Sequence, residues 1–150
     1  MFALFCFSVI LGKIMKVTLG QKGNRSRKQQ VLIEECDLEN LEKTMALIIW
    51  PALVYFKENT DGVIQIENQH LPTDLQYAYP KNVKDFKPNH EKMLTKQYEY
   101  AMNEMIWGFK QIAQDQPDAP NEHSNEYQQY LDRIQKACEM YGFYFRGFWN

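Results

Sequence analysis

Residues 89–116 read NHEKMLTKQYEYAMNEMIWGFKQIAQDQ, and this stretch decides the fold because it carries the longest clean helical pattern in the chain. Leu94, Tyr98, Ala101, Met105, Gly108 and Ile112 recur at alternating spacings of four and three. That places them along one side of an α-helix. Met102, Ile106, Phe109 and Ala113 widen the stripe on one flank, so the helix is expected to be buried against more than one neighbour. It is the expected central helix of the molecule.

Moving toward the N-terminus, residues 71–88 carry three prolines and no period. They read as an ordered connection pinned by Tyr77, Tyr79 and Phe86. Before it, residues 63–67 alternate as a short strand after the Asp61-Gly62 turn signal. A helix is expected from Asp37 or Asn40, either of which suits an N-cap, to about Lys57. Its inner side would be Leu41, Met45, Ile48 or Ile49, Ala52, and Tyr55 or Phe56. Pro51 falls inside that pattern, where it removes a backbone donor and predicts a kink.

Moving toward the C-terminus, residues 115–124 form a hydrophilic break with Pro117 and Pro120. The last helix is expected to start at Ser124 or Asn125, with Tyr127, Leu131, Ile134, Cys138 and Tyr141 as its inner face. Six of the final ten residues are aromatic. That is too much apolar surface to leave in water, so this end is expected to dock on the core or on another subunit.

The first residues differ from the rest. Residues 2–11 are apolar, yet the run is about half of what a membrane-spanning helix needs. Lys13 and Lys16 follow the run where a secretory signal would have its positive charges in front. Residues 1–14 are therefore set apart as an apolar leader, with Met15 as an alternative start. Residues 16–19 and 30–36 read as strands flanking a polar loop. The expected fold is a helix-dominated α+β domain over residues 15–150, with three main helices and a few short strands.

A chain of 150 residues can bury roughly two thirds of its unfolded surface as one domain. Cys6, Cys36 and Cys138 are odd in number and lack CxxC spacing, the pattern of reduced intracellular thiols. The net charge of −2 hides an asymmetry: residues 1–30 hold six Lys/Arg and no acid, and residues 31–150 hold 11 Lys/Arg against 19 Asp/Glu. The positive charge is thus local, and bulk nucleic-acid binding is not expected.

No conventional catalytic set emerges. Glu67, His70 and Asp74 could approach a divalent ion, but they lack the spacing of known metal motifs, which favours reading them as hydrated loop side chains. Cys138 sits on an apolar stripe, where a small buried hydrophobe explains it. No cofactor is expected. The features that remain are cations and rings. Lys22, Arg25 and Arg27, with Lys28, sit in a glycine-containing loop that could wrap an anion or could simply be a solvated basic loop. Trp107 and Tyr144 could stack a base, with Arg133 and Arg146 holding phosphate oxygens. Glu104, beside the apolar stripe, needs a partner if buried, and Arg133 or Arg146 could clamp it instead.

A resemblance is carried by Thr44-Met-Ala-Leu-Ile-Ile-Trp-Pro51, Leu71-Pro72, Tyr98-Glu-Tyr-Ala-Met-Asn-Glu-Met-Ile-Trp-Gly-Phe109, Arg133-Ile-Gln and Tyr141-Gly-Phe-Tyr-Phe-Arg-Gly-Phe-Trp-Asn150. This order resembles a family of small proteins encoded by tailed bacteriophages, with motifs of the form TLAxIIxP, DEMIWAF and GKYYxxLWD. It spans about residues 30–150. The chain departs from it at Glu39 for tryptophan, Glu42 for aspartate and Phe143 for lysine, and in a shorter loop after Leu75. The resemblance implies a viral origin and the host cytoplasm as the place of action, and carries no established activity.

Three functions are therefore expected in descending order. The first is a non-enzymatic viral accessory protein that binds a small phosphorylated or nucleotide ligand, such as a host immune signal held away from its receptor. The second is a virion or host-interaction protein working through protein–protein contacts. The third is a metal-dependent phosphoesterase. A homo-oligomer without membrane association is expected in each case.

Overall fold

A computed structural model describes residues 16–18, 30–33, 35–80 and 82–148. The chain divides into two compact units, Met1–Leu41 and Glu42–Asn150. In the first, β1 (Lys16–Thr18) pairs antiparallel with β2 (Gln30–Leu32), Val17 standing opposite Val31. A short helix α1 (Glu35–Glu39) follows. The leader, the boundary at Met15 and the basic loop lie outside the described residues.

The second unit is built on α2 (Leu41–Asn59), α3 (Pro88–Ala113) and α4 (Asn125–Tyr144). Among its described residues there is no strand, so the α+β expectation is corrected to a helical fold. Residues 63–67 show why. Ile66 is buried and Ile64 packs on the core, as alternation requires, but the Glu67 N–H donates to the Tyr144 hydroxyl at 2.9 Å. A side chain satisfies this backbone where a neighbouring strand would otherwise have to.

The α3 stripe is buried much as its spacing predicts, through Tyr98, Ala101, Met102, Met105, Gly108, Phe109 and Ala113. Pro88 opens the helix at a position where a missing N–H costs nothing. Across it, α4 buries Tyr130, Ile134, Ala137, Met140 and Tyr144. Tyr127, Leu131, Cys138 and Tyr141 are only half-buried, so the inner face is turned about one residue from the expected one. Gly108 and Ala137 set that rotation. A Cβ on Gly108 would lie 2.3 Å from the Ala137 Cβ, so the two helices cross where both side chains are minimal.

The connection from α2 to α3 is fastened by side chains. Asn68 bonds both the N–H and the C=O of Tyr77. Fully buried Gln97 donates to the Leu75 carbonyl at 2.7 Å and accepts from the Tyr79 hydroxyl at 2.8 Å. The His90 ring accepts from the Lys87 N–H at 3.0 Å, and the His90 N–H donates back to the Lys87 carbonyl. Between α3 and α4, fully buried Gln111 accepts from the Asp118 N–H and the Tyr130 hydroxyl and donates to the Asp118 carboxylate. Both buried amides, Gln97 and Gln111, are paired, as a low-dielectric interior demands.

Candidate functional site

Of the residues expected to hold a phosphorylated ligand, Lys22, Arg25 and Arg27 lie outside the described residues. Arg133 and Trp107 do meet. The Arg133 guanidinium carbon stands 3.8 Å from the centre of the Trp107 ring, and the Tyr130 ring meets Trp107 edge-on. But Arg133 also grips Glu104 with both arms, Nε to Oε2 at 2.8 Å and Nη2 to Oε1 at 2.7 Å. This is the clamp between α3 and α4. Bonding to Glu104 holds the guanidinium still more firmly protonated, against the burial that opposes its charge.

Tyr144 is turned inward. Its hydroxyl accepts from the Glu67 N–H and meets His70 Nδ1 at 2.7 Å. Burial pushes the Tyr144 hydroxyl pKa up, with the Glu67 backbone bond pulling the other way. Along α4, the residues from Arg133 to Tyr144 span about 16 Å at 1.5 Å per residue, so the two do not converge. Arg146 stands exposed on the turn Phe145–Gly147. Glu67 and Asp74 are exposed, and among the described residues no three His, Cys, Asp or Glu side chains gather to hold a metal ion. Burial raises the Cys138 thiol pKa, the reverse of what an attacking thiolate needs.

The molecule instead presents α2. Residues 44–56 contain no charged side chain, the longest such run in the chain. On one side, Ala46 and Leu53 are buried and Ile49, Trp50 and Phe56 pack on the core. On the other, Leu47, Pro51, Val54, Tyr55 and Glu58, with Trp50 at the inner edge, line an open groove of about 370 Å³. Leu47 is 46% and Tyr55 69% exposed. The residues 47, 50, 51, 54, 55 and 58 follow helical spacing, so α2 carries two stripes and packs the chain's own core with one of them. A second, smaller cleft of about 230 Å³ lies between α2 and the C-terminal segment, walled by Ile49, Leu53, Phe56, Tyr141, Phe145 and Phe148.

No family model, curated protein or solved structure matches the chain. The outer stripe escapes a reading that assigns α2 one buried side, although the signal is present: a surface helix with a single buried side should show charges opposite it, and this one shows none over its central thirteen residues. Pro51 adds a polar feature to the groove. It lacks an N–H, so the Leu47 carbonyl, four residues earlier, is without its regular helical donor.

Proposed function

We propose that this protein works by docking, with the outer stripe of α2 as the surface that receives a partner helix. The reading rests on one observation: exposed Leu47 and Tyr55, with half-buried Val54 between them and the core-packed Trp50 at the inner edge, form an uncharged, helically spaced stripe along an open groove. An aromatic-rich apolar stripe of this kind is what helix-in-groove recognition uses. Ligand capture is less well supported by the geometry, because it asks Arg133 to leave Glu104 and Tyr144 to leave Glu67 and His70. The resemblance to bacteriophage proteins supports a viral or bacterial protein as the partner.

A photoreactive phenylalanine placed at Tyr55, or at exposed Glu139 on α4 as a control, tests the reading in a bacterial extract. Discrete protein adducts are expected from position 55 and not from position 139. Equal labelling from both, or none from position 55, would remove α2 as the docking face.

A further inference from the structure

The geometry points to a second copy of this chain as the occupant of the α2 groove, the two α2 helices lying antiparallel about a two-fold axis at Pro51. This rests on the docking reading above and names its partner. Three observations carry it.

The first is charge. The run 44–56 carries no charged side chain, so two copies can set this patch face to face without opposing like charges, and an uncharged patch is compatible with itself.

The second is register. With Pro51 on the axis, each residue faces the one whose number makes up 102 with its own. Leu47 then lies opposite Tyr55, and Glu58 opposite Thr44. An aliphatic side chain meets a ring, and no two acids oppose one another. Parallel pairing about the same point would set Glu58 against Glu58.

The third is hydrogen bonding. The groove holds one backbone acceptor without its regular donor, the Leu47 carbonyl beside Pro51. It also holds a donor without a partner among the described residues, the exposed Tyr55 hydroxyl. The antiparallel register brings each copy's Tyr55 to the other's Leu47. Two symmetric bonds from Tyr55 hydroxyl to Leu47 carbonyl would then satisfy both groups, inside an interface of packed apolar side chains. A groove that supplies both the acceptor and the donor it requires is self-complementary, which is what an isologous interface demands.

Sedimentation equilibrium of the full chain, over a wide range of concentration, tests the proposal with two variants at one exposed position. The native chain is expected to dimerise. Tyr55→Glu sets a charge against the partner's Leu47 and is expected to leave a monomer. Tyr55→Phe keeps the ring and loses both donors, and is expected to weaken the dimer by about tenfold. Because the side chain projects from the surface, neither change disturbs the core, and circular dichroism should be unaltered. A dimer indifferent to Tyr55→Glu would overturn the proposal, since another surface would then be responsible. A native chain that stays monomeric would overturn it too. In that case heterologous adducts from position 55 would leave the docking reading standing, and their absence would take both down.

Discussion

Gly108 is the residue on which the packing of α3 against α4 turns. Nothing at this position requires glycine's backbone freedom; the requirement comes from the Ala137 Cβ, which sits where a new methyl would go. Gly108→Ala forces the helices apart along a methionine-rich core that includes Met102, Met105 and Met140. Overpacking of this kind is expected to cost about 1–3 kcal/mol, less whatever the higher helix propensity of alanine returns, and denaturant unfolding would measure it. Glycine on the inner stripe was legible from the spacing of residues 94–112. Its partner was not, because a helical pattern reports which side is apolar and leaves open which residue of the facing helix is small enough to allow contact. Asp115 and Gln116 make the same point in the turn that follows α3. Both have a φ of 57°, a left-handed conformation that a sequence signals clearly through glycine and only weakly through asparagine or aspartate. The Gln116 N–H nevertheless closes the helix by donating to the Gln111 carbonyl at 2.6 Å. Gln116→Gly removes the side-chain strain and is expected to stabilise the fold by about 0.5–1 kcal/mol, set against the greater freedom of glycine in the unfolded chain; a higher melting temperature is the measurement.

Among the elements, α3 and α4 could be read with good bounds because their charged and apolar faces are segregated. The inner face of α4 was harder, since Tyr127, Leu131, Cys138 and Tyr141 form a stripe as apolar as the one that is buried. Period alone does not choose between two adjacent stripes; the small-residue crossing at Ala137 does. The segment 63–67 alternates as a strand should, yet the Glu67 N–H goes to a tyrosine on α4. Strand patterning reports which side chains turn inward, while pairing depends on what happens to lie alongside. In α2 the fully apolar run concealed the more informative fact, that a helix can be buried on one stripe and still present another. Of the candidate site, Trp107 with Arg133 and Glu104 was visible as a set of residue types. The direction of the Arg133 arms was not, because only the α3–α4 crossing decides whether Glu104 or a ligand receives them.

Across the second unit, ring packing and buried amides hold the fold together, with no strand among its described residues where the sequence led one to expect one at residues 63–67. Tyr79, Tyr98, Tyr130, Tyr141 and Tyr144 all have hydroxyl pKa values raised from about 10, each chiefly by burial. Folding therefore favours their protonated forms. Below about pH 10 both folded and unfolded chains keep these protons, and the stabilisation is intact; above it the unfolded chain loses them first and stability falls as pH rises toward the folded-state values. Cooperative unfolding in alkali is expected. Tyrosinate absorbance should then rise together with loss of helical circular dichroism, in place of a gradual titration with the helices intact.

The bond from Tyr144 to Glu67 and His70 has a consequence for how the protein is made. Residues 67–70 come off the ribosome long before the tyrosine that secures them, and α3 is likewise synthesised ahead of its Ala137 counterpart. During translation this chain can collapse but cannot lock, so its native state is reached only after residue 144 clears the exit tunnel, and nascent chains stalled short of that point should be degraded readily by proteases that spare the finished molecule.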